Sequence, residues 1–101
     1  YNASHHANEW ITTPVLLLFL EQYAYAVATE GRILGMDAQQ LWRRTTLWLV
    51  PMVNPDGVDL VTGAIRPGSQ QYQAAQRIAA GFPEIPFPGG WKANLTGTDL
   101  I

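Results

Sequence analysis

Apolar residues are spread unevenly along this chain. From Ile11 to Thr29 they follow a helical pattern, and Val15, Leu16, Leu17, Leu18, Phe19 and Leu20 make the start of the helix apolar nearly all round. A helix of that kind is enclosed on several sides, typically against a sheet. Thr12 and Thr13 open it, and Pro14 is tolerated because the first turn has no intrahelical N–H partner to lose. Gly31 is the expected C-terminal stop. The apolar run ends at Glu21, well short of the roughly 20 residues a membrane span requires, so a buried helix is expected and not a span.

The rest of the chain alternates element types. Asp37 suits the N-cap of a short helix over Ala38–Arg44, with Leu41 and Trp42 turned inward. Thr45–Val53 (TTLWLVPMV) is β-branched, aromatic and free of charge, as expected of a central strand buried on both faces. Pro51 cannot donate to a ladder and belongs at that strand's C-terminal end. Asn54-Pro55-Asp56-Gly57 reads as a turn, with Asp56 as a turn former. Gln70–Ala80 predicts a helix whose apolar side is Tyr72, Ala75, Ile78 and Ala79, stopped by Gly81. Phe82–Gly90, with Pro83, Pro86 and Pro88, predicts an ordered loop held by Phe82, Phe87 and Trp91. Residues 1–9 read as a loop that follows a strand. The class is α/β, part of a mixed central sheet flanked by helices. Ligand sites in such folds lie beyond the carboxyl ends of strands, so the His6–Glu9 loop and the Asn54–Gly57 turn are expected on one rim.

Composition narrows the partners. The 101 residues are 48% hydrophobic and 14% charged, enough for a core, and the low charge points to burial within something larger. Net charge is −2 and no basic stripe exists, which makes nucleic acid and anionic membrane surfaces poor candidate partners. Cysteine is absent, so any metal must be held by His, Asp or Glu. The chain opens on Tyr1 and stops abruptly at Ile101, the expected edges of a piece of a longer protein. Asn2 and Asn94 each open an Asn-x-Ser/Thr triplet that carries no meaning without a secretory context, and the compartment stays open.

The candidate chemistry sits in His6-Ala7-Asn8-Glu9-Trp10-Ile11-Thr12. An imidazole and a carboxylate three residues apart fall on one face if a helical turn begins there. They could then close on one cation at the short reach zinc demands, about 2.0–2.2 Å. The spacing alone also fits a capped, solvated helix start, and His5, four residues before Glu9, could share its face.

Three separated segments together resemble the zinc carboxypeptidase family (carboxypeptidase A-like metallopeptidases): the His6–Thr12 stretch, Val50-Pro51-Met52-Val53-Asn54-Pro55-Asp56-Gly57, and Lys92-Ala93-Asn94-Leu95-Thr96-Gly97-Thr98-Asp99-Leu100. HANEWITTP, NPDGVDLV and the WKAN…DL run resemble the bacterial branch that hydrolyses γ-D-glutamyl-diaminopimelate bonds of cell-wall peptides. The resemblance covers nearly the whole chain. It implies an incomplete carboxypeptidase-like fold over residues 1–101, part of a single catalytic domain, and a zinc enzyme with one ion. It implies that His6 and Glu9 are two of three zinc ligands and that His5 is a neighbour. Asp99 falls where the family's acid hydrogen-bonds the ligand histidine, which fixes the tautomer and raises ligand basicity. Lys92 falls where the family carries an arginine that steadies the oxyanion, although a lysine is a point charge and not a planar fork.

The departures from the family pattern are specific. Ile101 stands where the family places the first residue of an Asn-Arg pair that holds the substrate carboxylate. The third ligand histidine and the catalytic glutamate lie downstream in the family. Asp59 and Glu84 have no matching motif and are not substitutes. The 101 residues alone are expected to bind zinc weakly and to lack peptidase activity. The competing readings are an ordinary metallocarboxypeptidase that removes C-terminal residues, a degenerate non-catalytic binding module, and a structural α/β half-domain.

Overall fold

The computed structural model describes all 101 residues. A 3-10 turn, Ala7–Glu9, leads into helix α1, Thr12–Ala28. A hairpin of β1, Arg32–Ile33, and β2, Met36–Asp37, precedes α2, Ala38–Arg44. Helix α3 spans Pro55–Thr62 and α4 spans Gln70–Ala79. A long, irregular C-terminal stretch then returns to the 3-10 turn.

Local chemistry accounts for the element ends. Helix α1 stops in a Schellman arrangement: Gly31 donates its N–H to Ala26 O at 2.8 Å and Glu30 to Val27 O at 3.5 Å. The left-handed residue there is Glu30, with φ 54°, and not the expected Gly31. The hairpin turn is Leu34-Gly35, both at positive φ, which gives the twist a two-residue connection requires. Asp37 caps α2 by accepting from Gln40 N–H at 2.9 Å, and Ser69 caps α4 by accepting from Tyr72 N–H at 3.2 Å.

Two expected features differ. Asn54–Gly57 is not a free turn but the start of α3. Asn54 is its N-cap and Pro55 occupies the first helical position, where a missing N–H costs nothing. Thr45–Val53 is extended but is no two-sided central strand. Only one edge is paired, in parallel with Tyr1–Ser4: Val50 donates to Tyr1 O at 2.9 Å, Ala3 to Val50 O at 3.1 Å and Asn54 to Ser4 O at 3.0 Å. The ladder slips by one residue at Pro51-Met52, because Val53 and not Met52 donates to Ala3 O. Leu47 and Leu49 turn towards α1 and are half-buried, but with nothing on the other edge or over the opposite face, Trp48 is 79% exposed. The same lack of cover leaves Trp42 on α2 exposed, and Val15, Leu17, Leu18 and Tyr25 on α1 too, where an enclosed helix is expected.

The buried centre is small and sits under the 3-10 turn. Ala7, Leu60 and Ala75 are fully buried and pack with Trp91. Tyr72, Phe87 and Trp91 meet edge-to-face, with ring centroids 5.1 and 5.7 Å apart, so the Pro-rich loop is held by Phe87 and Trp91 as expected while Phe82 stays exposed. A second aromatic file runs Tyr1–Phe19–Tyr23–Trp42 along α1. The radius of gyration is 17.9 Å, against about 13 Å for a compact domain of this length. The chain is an incomplete portion of an α/β architecture. The stretch Ala7–Ala28 is long and apolar enough to cross a membrane by length and composition, a test that core helices also pass.

Candidate metal centre

The His6–Glu9 loop is held from three sides. At its base Ser4 adopts φ 53°, rare for a residue with a side chain. Its N–H donates to Thr12 Oγ1 at 2.9 Å, and its hydroxyl lies 2.6 Å from Thr13 Oγ1. The Thr13 hydroxyl donates in turn to the Pro51 carbonyl, so the first turn of α1 clamps the loop to the paired segment. On the second side Ala7 donates its N–H to Lys92 O at 2.9 Å. On the third, the carboxamide of Asn54 donates to His5 O at 3.1 Å.

His6 itself is extended (φ −85°, ψ 133°), immediately before the 3-10 turn. With three residues per turn, positions i and i+3 eclipse, so the imidazole and the Glu9 carboxylate stand one above the other. His6 Nδ1 lies 3.1 Å from Glu9 Oε2 and His6 Nε2 lies 3.2 Å from Asp99 Oδ1. His5 makes no such contact; the imidazole that faces Glu9 is that of His6. The His6 side chain is 19% exposed, whereas Glu9 and Asp99 are half-exposed.

Asp99 is delivered by a closed turn. Asn94 Oδ1 accepts from Thr96 N–H at 3.0 Å and Thr98 N–H at 2.9 Å, and Gly97 sits at φ 82°. Asp99 Oδ1 also accepts the Ile101 N–H at 3.1 Å. That backbone hydrogen bond, and after it the charges of His6 and Lys92, holds the Asp99 carboxyl below its ordinary value of 3.8. Lys92 is exposed and forms no ion pair. Its side chain shares with Asp99 the edge of an apolar pocket of about 260 Å³ lined by Ile78, Phe87 and Trp91.

The arrangement has a definite chemical sense. If Nε2–H donates to Asp99, the Nδ1 lone pair faces an anionic oxygen at 3.1 Å. Such an approach calls for a cation between the two atoms, a proton or a divalent metal. Two donor atoms of one tetrahedral zinc stand about 3.3–3.6 Å apart, so the pair lies within a few tenths of an ångström of that spacing. The donor types, one imidazole nitrogen and one carboxylate oxygen, also suit zinc. No third donor joins them: Asp99 lies on the far side of the imidazole, and no three His, Cys, Asp or Glu side chains are placed to hold one metal ion. Asp59 and Glu84 are exposed, and neither forms an ion pair with His6.

Sequence reasoning brought His6, Glu9, Asp99 and Lys92 forward but missed what holds them. Asn54, 2% exposed, is more than a helix cap, and the Lys92 carbonyl accepts the Ala7 N–H. The one signal for Asn54 was its place before Pro-Asp-Gly, which reads equally well as a turn.

Comparison with known proteins bears on this geometry. A profile described as "Zinc carboxypeptidase" matches residues 1–100. The chain is 46% identical over 99% of its length to "Gamma-D-glutamyl-L-diamino acid endopeptidase 1" of Lysinibacillus sphaericus, covering 24% of that protein. It is 40% identical over 98% of its length to "Uncharacterized protein YqgT" of Bacillus subtilis, covering 26% of it. Over 65% of the chain it is 35% identical to a "Zinc carboxypeptidase" of Saccharothrix mutabilis subsp. capreolus, covering 14% of that protein. The chain thus spans about a quarter of the length of the first two relatives. No solved structure matches it.

Proposed function

Because the chain belongs to the zinc carboxypeptidase family, we propose that the protein is a zinc-dependent peptidase and that residues 1–101 form part of its single catalytic domain. The observation that carries this reading is the convergence of His6 Nδ1 and Glu9 Oε2 at 3.1 Å with Asp99 behind the imidazole at 3.2 Å. His6 and Glu9 supply two ligands to one zinc ion. Nε2–H donates a hydrogen bond to the Asp99 carboxylate, which keeps the Nδ1 lone pair free for the metal and holds the ring plane. When bound, zinc lowers the pKa of a bound water towards about 7 and polarises the scissile carbonyl. Lys92 stands where negative charge develops on that carbonyl oxygen and steadies it. The third ligand and the general base come from elsewhere in the protein, so the 101 residues by themselves bind zinc weakly and hydrolyse nothing.

The substrate reading is narrower. The 46% identity to a protein named as a γ-D-glutamyl-L-diamino acid endopeptidase supports an amide between the γ-carboxyl of D-glutamate and a diamino acid. The diamino acid proposed is diaminopimelate, one of those found in cell-wall peptides. The shorter match to a zinc carboxypeptidase keeps removal of C-terminal residues as the second reading. The test is incubation of the full-length protein with a γ-D-glutamyl-diaminopimelate peptide and with an ordinary C-terminal peptide, each with and without chelator. Chelator-sensitive cleavage of the γ-glutamyl bond is expected. Cleavage of the ordinary peptide alone moves the protein to the second reading, and no turnover of either leaves a non-catalytic binding module.

A further inference from the structure

Resting on the reading of the site as a metal centre, we infer that Asn54 is its positioning residue: one buried carboxamide sets the distance between the segment that carries His6 and the segment that carries Asp99. Asn54 lies at the N-terminus of α3 and is 2% exposed. Its Oδ1 accepts the Gly57 N–H at 3.1 Å. Its Nδ2 faces three carbonyl oxygens, those of His5 at 3.1 Å, Ala93 at 3.1 Å and Lys92 at 3.4 Å.

The amide orientation follows from chemistry. Rotated by half a turn, the group would aim its oxygen at three carbonyls and its NH₂ at an N–H. In the observed sense, one hydrogen serves His5 and the other is shared between Lys92 and Ala93. The His5 carbonyl is one peptide bond from His6. Lys92 and Ala93 lead directly into the Asn94–Thr98 turn that presents Asp99. No other side chain donates to both segments. The contact is possible only because position 57 has no side chain: a Cβ there would lie 2.5 Å from Asn54 Nδ2 and 2.8 Å from the Ala93 carbonyl oxygen.

A helix cap alone needs an acceptor, and Asp caps as well as Asn. The Asn54→Asp variant therefore keeps the Gly57 hydrogen bond and replaces the two donors with an oxygen aimed at carbonyls. Asn54→Ser is an uncharged counterpart that also retains a capping oxygen and has a single O–H in place of the carboxamide's two N–H donors. Asp37→Ala, which removes the cap of α2 away from the site, reports what a plain loss of stability does. The measurements, on the full-length protein, are zinc affinity by competition with a chelator and, without metal, the imidazole ¹⁵N resonances of His6. We expect both Asn54 variants to lose about tenfold or more in zinc affinity and to shift the His6 resonances. Asp37→Ala should do neither. Should Asn54→Asp fail to fold, Asn54→Ser decides. A folded Asn54 variant with wild-type affinity and wild-type His6 resonances overturns the inference, as does an equal loss in Asp37→Ala. A wild-type protein that binds no zinc sinks the peptidase reading, and the His6 resonances alone then decide the role of Asn54.

Discussion

Ala7 donates its backbone N–H to the carbonyl oxygen of Lys92 at 2.9 Å, while its methyl group is wholly buried against Leu60, Ala75 and Trp91. The residue next to the candidate ligand His6 is thus both a hydrogen-bond donor to the other side of the site and a floor plate of the core. The loop takes its position from packing as much as from polar contacts.

That double role makes Ala7 intolerant of bulk. Ala7→Leu adds atoms where neighbours are fully enclosed, and overpacking of that kind destabilises by about 1–3 kcal/mol. Urea unfolding of the full-length protein should show this loss together with a weaker hold on zinc, since the loop must lift from Trp91 to fit the side chain. Unchanged stability would mean that the core under the 3-10 turn is looser than the burial of Ala7 indicates.

Asp99 offers a cleaner separation, because a single oxygen, Oδ1, accepts from Ile101 N–H and lies 3.2 Å from His6 Nε2. Asp99→Asn can keep both contacts and loses only the charge. Zinc affinity should fall about 10–100-fold, the usual effect of removing a carboxylate from behind a ligand imidazole. The carboxyl sits below its ordinary value, held there first by Ile101 N–H and then by His6 and Lys92. A lowered native pKa favours the folded state above the unfolded value and loses that advantage as pH falls through the native one. Any stability advantage of wild type over Asp99→Asn in the metal-free protein should therefore be complete above about pH 4 and vanish at lower pH. An advantage that grows on acidification would reverse the sign and exclude this account.

The elements with strong local signals were legible in the sequence: α1, the Asp37 cap and α4 all fall where periodicity and capping chemistry put them. The nearness of His6 to Glu9 and to Asp99 was legible too, because His6 and Glu9 are near neighbours and Asp99 follows from family resemblance. What failed depended on partners that local pattern does not contain. Thr45–Val53 has the residues of an enclosed strand but finds one neighbour, Tyr1–Ser4, and stays exposed at Trp48. The Leu34-Gly35 hairpin escaped notice because leucine is a poor emblem of a positive-φ turn. Asn-Pro-Asp-Gly has turn composition, yet the same residues cap a helix once Asn54 can accept from Gly57 and donate across the chain.

Gly57 tests the last point by reversing an ordinary rule. Within an exposed helix, Gly→Ala gains about 1 kcal/mol. Here the new Cβ would stand 2.5 Å from Asn54 Nδ2 and 2.8 Å from the Ala93 carbonyl oxygen. Neither the buried carboxamide nor the backbone can yield easily, so Gly57→Ala should destabilise by about 1–3 kcal/mol. Thermal unfolding monitored by circular dichroism gives the sign directly, and a raised melting temperature would show that the carboxamide has room to move.

Glu9 and Lys92 can be told apart by which property each variant loses. The Glu9 backbone holds the turn, with its N–H on His6 O at 3.1 Å and its carbonyl accepting the Thr12 hydroxyl at 2.8 Å, whereas its side chain meets only His6. Glu9→Gln therefore leaves the fold intact, within about 0.5 kcal/mol, and replaces an anionic ligand with a weak neutral one. Zinc should be lost, and turnover with it. Lys92 works the other way. Its carbonyl serves Ala7 and Asn54 whatever its side chain is, so Lys92→Met keeps the loop and the metal. If the ammonium steadies the oxyanion, kcat should fall about 10²–10³-fold with zinc content unchanged. Paired metal analysis and kinetics on the two variants decide the matter: zinc retained in Glu9→Gln removes that ligand from the site, and full kcat in Lys92→Met leaves Lys92 as a solvated surface lysine.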